Sequence, residues 1–80
     1  MSVWNYRVVR RMVGGERELR IHEVYYDGQQ ITAWSSEPIA PSGQTHEELL
    51  ADLRWMIVAT TQSVLDEVDL PGQHREGASG

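Results

Sequence analysis

Residues 3–12 sort into two sides with a period of two. Trp4, Tyr6, Val8, Arg10 and Met12 fall on one side, and Asn5, Arg7, Val9 and Arg11 on the other. This period of two predicts a strand. Gly14-Gly15 follows, and two glycines reach positive φ without steric cost, so a tight hairpin turn is expected there. A return strand over 18–26 then sets Trp4 opposite Tyr25, Tyr6 opposite Glu23, Val8 opposite Ile21 and Arg10 opposite Leu19. That side collects most of the apolar groups and is the expected core face. The reverse side pairs Asn5 with Val24, Arg7 with His22, Val9 with Arg20 and Arg11 with Glu18, the last a cross-strand ion pair.

Asp27-Gly28 predicts a second hairpin and a third strand over 30–36. Two registers are open. A two-residue loop puts Gln30, Thr32 and Trp34 on the core face. A three-residue loop puts Ile31, Ala33 and Ser35 there and turns Trp34 to the reverse side. The second is preferred because Ile31 then meets Tyr25. Pro38, Pro41 and Gly43 break the pattern into an irregular crossing loop.

The period changes after Gly43. Thr45 followed three residues later by Glu48 is a capping box: the hydroxyl accepts a first-turn amide and the glutamate reaches back to the cap. A helix over roughly 46–62 is expected. Leu49, Leu50, Leu53, Met56, Ile57, Thr60 and Val64 lie within about 120° of arc and form its core-facing stripe. Trp55 lies roughly 200° away from that stripe, beside Ala51, Val58 and Ala59. The β-branched run from Val58 to Thr61 weakens the helix near 61–63. Leu65 is still able to pack, and residues 70–80 are expected to be a disordered tail.

The expected fold is therefore α+β: a three-stranded antiparallel meander packed by one C-terminal helix (βββα), in a single domain over 1–69. Eighty residues without cysteine give a small core with no disulfide to support it. Residues 1–20 carry five arginines and two glutamates, net +3, and residues 21–80 carry two arginines and ten acids, net −8, for −5 in all. A broad nucleic-acid surface is not expected from that balance. A local basic patch on the first hairpin remains open. No run is long enough to span a membrane, no signal-peptide pattern leads the chain, and a cytoplasmic setting is expected.

One helix covers one face of such a sheet. The reverse face would then present Arg7, Arg20, His22, Val24, Tyr26 and Trp34. With Trp55 on the outer side of the helix, these form the candidate interaction surface. Arginine with aromatics on a sheet is also a base-stacking arrangement, but a solvated face or a protein-binding surface suits the charge better. No catalytic, cofactor or metal set is expected. Adjacent His22 and Glu23 point to opposite faces. His46 sits on the first helical turn and His74 in the tail, without ligand spacing. Ser35 and Ser36 have no evident base. Glu23 is expected at the rim of the core face, bonded to the Tyr6 hydroxyl.

The run Asp27-Gly28, Glu37-Pro38, Pro41, then Gly43-x-Thr45-x-Glu47-Glu48-Leu49 resembles the HicB-type antitoxin half-domain over about residues 20–57. The resemblance implies a partner-covering inhibitor. The family's Pro-Asp-Leu-Pro-Gly run is absent here, no clear strand follows the helix, and no DNA-binding module is matched, so DNA binding is not implied. Trp4-Asn5-Tyr6-Arg7-Val8 with Glu23-Val24-Tyr25-Tyr26-Asp27 is similar to a family of small bacterial proteins with no assigned activity. The function expected is a non-enzymatic protein-interaction module that self-associates, as a homodimer, and binds a protein partner. The alternative is a HicB-like inhibitor that covers a basic, ribonuclease-like protein.

Overall fold

A computed structural model describes residues 2–72; residues 73–80, where most of the expected tail and His74 fall, lie outside the described residues. Strands β1 (Ser2–Val13) and β2 (Glu16–Asp27) form a long hairpin, β3 (Gln30–Trp34) completes the meander, and helix α1 (His46–Thr60) follows. A two-residue strand β4 (Leu65–Asp66) and a 3-10 turn (Glu67–Asp69) come after it. The fold is α+β with one helix.

The first hairpin has the expected register throughout, from Trp4 opposite Tyr25 to Arg11 opposite Glu18. Gly14 and Gly15 take φ of 58° and 83°, the left-handed region that a tight hairpin turn demands. The second hairpin combines the two expected alternatives. Its loop has two residues, with Asp27 paired to Gln30. A bulge then skips Thr32, so Tyr26 pairs with Ile31, Tyr25 with Ala33 and Val24 with Trp34. One extra residue reverses the alternation, and Ile31 and Trp34 share the reverse side. Ile31 thus meets Tyr26 instead of Tyr25.

The sheet has the order β3-β2-β1-β4, with β4 parallel to β1 through Val9 and Leu65. The expected three-stranded meander therefore gains a fourth strand, at the place where no strand had been legible.

The larger correction concerns the core. Val9, Val24 and Trp34, all on the reverse side, form the buried cluster, with Tyr26, Ile31, Leu65 and Leu70 packed against it. The side expected to be bare is closed by the chain after the helix. Leu70 and Pro71, placed beyond the domain boundary at 69, are part of the packed body. The helix occupies the other side and lies along β1, burying Met56 and Ala59 while Val8 is covered beneath it. Both faces of the hairpin are thus used within one chain, and Trp4 is left half open to solvent.

The helix begins as its cap predicts. Thr45 Oγ1 accepts the Glu48 amide at 3.1 Å. The Glu48 carboxylate reaches back one residue further than expected and takes the Gln44 amide at 2.9 Å. Gly43 lets the loop press against this first turn, since a Cβ there would lie 2.4 Å from the Leu49 nitrogen. The helix ends at Thr60, where the Thr60 and Thr61 hydroxyls donate to the Ile57 and Val58 carbonyls at 2.6 Å.

Candidate interaction surface

The roll of the helix decides which side chains remain available. Asp52 sits on its inward line with Leu49, Met56 and Ala59. Its Oδ1 accepts from the Tyr6 hydroxyl at 2.5 Å and its Oδ2 from the Ser42 amide at 3.0 Å. One carboxylate thereby ties strand, loop and helix together. This turns the expected stripe partly outward: Leu50, Leu53 and Ile57 are exposed, Ile57 by 63%. An acid three residues after Leu49 and four before Met56 was the signal in the sequence that the inward line was different.

Trp55 is 65% exposed and Trp4 52% exposed. Neither the 37–42 loop nor the following segment covers Trp55. The two indoles line one cleft of about 360 Å³ together with Asn5, Tyr6 and Asp52. Trp4 meets the Tyr6 ring edge-on, with centroids 5.3 Å apart and an interplanar angle of 67°. Burial raises the Tyr6 hydroxyl to about 12, aided by its bond to Asp52 and by the charges of Asp52 and Glu23. It is a neutral donor at any ordinary pH. Glu23 does not take the Tyr6 proton as expected; it accepts from the Tyr25 hydroxyl instead.

The residues expected to form a reverse-face surface are mostly inside. His22 and Val24 are fully buried and Trp34 nearly so, which overturns their assignment to an open surface. Trp34 donates its indole N–H to the Pro71 carbonyl at 2.8 Å, with the Arg11 guanidinium 5.3 Å from its ring centroid. Arg7 and Tyr26 are half-buried. Arg7 donates to the Tyr26 hydroxyl at 3.2 Å and to the Ser63 carbonyl at 2.7 Å, pinning the chain after the helix. Arg20 is exposed but lies on the sheet side opposite the helix, away from Trp55.

His22 does approach a serine, contrary to expectation. Its Nδ1 lies 2.9 Å from the Ser35 carbonyl and 3.2 Å from Ser35 Oγ. A carbonyl only accepts, so Nδ1 carries the proton and donates. Ser35 Oγ donates in turn to the Glu37 carbonyl at 2.8 Å. The pair is a latch between β2 and the loop, with the imidazole donating and the serine proton given to the Glu37 carbonyl.

The basic hairpin tip is largely neutralised from within. Asp66 pairs with Arg10 at 3.1 Å and Glu67 with Arg11 at 3.6 Å. The expected Arg11–Glu18 pair does not form; Glu18 pairs with Arg20 at 2.9 Å. No metal-binding group of side chains occurs among the described residues. No helix among them is long and apolar enough to cross a membrane.

No protein-family model, curated protein or solved structure matches this chain.

Proposed function

We propose that this chain is a non-enzymatic, cytoplasmic protein-interaction module that self-associates and docks a protein partner at the surface around Trp4 and Trp55. The observation that carries the reading is the pair of indoles, each more than half exposed, on one cleft floored by the Tyr6–Asp52 bond. Tryptophan anchors of this kind dominate the energetics of protein contacts. These polar groups are engaged internally: His22 by Ser35, Arg7 by Ser63, Arg10 and Arg11 by acids of the segment after the helix. Affinity purification of the tagged full chain from its native host tests this. Wild type should retain a partner at fixed stoichiometry, and Trp55→Ala should lose it. Retention unchanged by both Trp4→Ala and Trp55→Ala would discard the surface.

A second reading, the HicB-like inhibitor, is favoured by β4, because a strand after the helix was one of the three elements that resemblance lacked. The net charge of −5 suits a basic partner. Co-expression with a small basic protein encoded next to this chain's gene should give a complex that dissociates in high salt; a gene standing alone would count strongly against it.

A further inference from the structure

Resting on the interaction reading above, we infer that the outer edge of β1 over Val3–Tyr6 pairs antiparallel with the same edge of a second copy of this chain. The argument begins with the backbone. β1 pairs with β2 along its whole length, whereas β4 covers its other edge only at Val9 and Arg10. Main-chain groups of a strand alternate in direction with period two. The Gly14-Gly15 turn closes on Val13 and Glu16, so the odd residues of β1 aim their N–H and C=O groups at β2 and the even residues aim theirs away. The Met12 N–H, donated outward to Glu67 Oε2 at 2.8 Å, gives the same phase independently. Trp4 and Tyr6 therefore direct their main-chain groups to the outer edge, where no strand lies among the described residues.

Free edges of folded sheets carry guards: lysine, proline, a bulge or an inward charge. Val3-Trp4-Asn5-Tyr6 has none of them, and Val3 and Trp4 are more than half exposed. An edge open in this way is a ready template for another strand. Symmetry, charge and area identify it as a second copy. An edge that is identical in both copies pairs with itself about a two-fold axis. The segment is uncharged, so self-pairing sets no like charges together, and the nearby Arg7 is already engaged by Tyr26 and Ser63. A two-fold at Asn5 brings Trp4 opposite the partner's Tyr6, satisfies the outward groups of both and joins the two four-stranded sheets into one. The cleft runs alongside Asn5, and its two indoles alone leave on the order of 250 Å² open, about a third of the ~800 Å² that each partner buries in a standard interface. Val3 and the backbone strip add to that.

Light scattering on the full chain, from low to high micromolar concentration, combined with amide hydrogen exchange, tests the pairing. The mass should rise from 9.1 kDa to twice that value. The Trp4 and Tyr6 amides should exchange at least about tenfold more slowly at the high concentration. Trp4→Pro removes an N–H that β2 does not use, and should leave a monomer with the wild-type circular dichroism. Trp4→Phe should still pair. If Trp4→Pro unfolds, the exchange of the wild-type amides decides alone. A monomer at every concentration overturns the inference, as does a dimer whose Trp4 and Tyr6 amides still exchange at monomer rates. A monomer that captures another protein through Trp55 overturns the pairing and leaves the interaction reading in place. A dimer with protected amides and no other partner upholds the pairing and confines the module to self-association.

Discussion

The Tyr6 hydroxyl donates to Asp52 Oδ1 at 2.5 Å, and this contact sets the roll of the helix on the sheet. With Asp52 turned inward, Trp55 comes to the cleft beside Trp4, and Leu50, Leu53 and Ile57 turn to solvent. The acid has both oxygens satisfied, by the Tyr6 hydroxyl and by the Ser42 amide, and it lies inward while part of the apolar arc faces solvent.

Alkaline pH should release that contact. The folded chain holds the Tyr6 proton more tightly than the unfolded chain, raising the hydroxyl from 10.0 to about 12. Its stabilisation is therefore complete below pH 10 and is lost as the pH climbs toward 12. Tyr6→Phe should cost about 1 kcal/mol at neutral pH and abolish this alkaline decline. Urea unfolding of both proteins at about pH 8 and about pH 11 checks it. Parallel losses in wild type and variant would show that Tyr6 is not the group responsible.

The two tryptophans Trp34 and Trp55 should behave oppositely. Trp34 belongs to the buried cluster, and Trp34→Ala should cost about 3–5 kcal/mol, most of the stability of a domain this small. Trp55→Ala should change stability by less than about 0.5 kcal/mol. Thermal melts of the two variants distinguish this core from the reverse arrangement, in which Trp55 would be the costly position.

The chain beyond the helix should be required for folding. A chain ending at Asp69 loses Leu70 from the core and the Pro71 carbonyl that receives the Trp34 indole N–H. It should be about 2 kcal/mol less stable than a chain ending at Gly72, with tryptophan emission shifted to the red. Equal stability of the two would remove the C-terminal segment from the core.

Much of this architecture was legible before the structure. The alternation, the Gly14-Gly15 turn and the Thr45 cap were each local, and each appears as expected. Three things were not legible. The bulge at Thr32 leaves no compositional mark, although the preferred register had already turned Trp34 to the reverse side. A two-residue strand is too short to show a period, so β4 was hidden in the stretch between the helix end and the expected tail. Asp66 and Glu67 carry no local signal of a partner, yet they bind Arg10, Arg11 and the Met12 amide on β1. Trp55 is exposed, as its helical spacing placed it, while Trp4, expected on the core face, is half open beside it.

The sequence by itself determined which side chains share a face of the hairpin, where the turns fall and where the helix starts, because each follows from φ/ψ preference and spacing within a few residues. Only the tertiary structure decided which face becomes the core. Alternation sorts residues into two sets but is blind to what will cover each set. That choice was made by Leu65, Leu70 and Pro71 closing over Val9, Val24 and Trp34 from far along the chain.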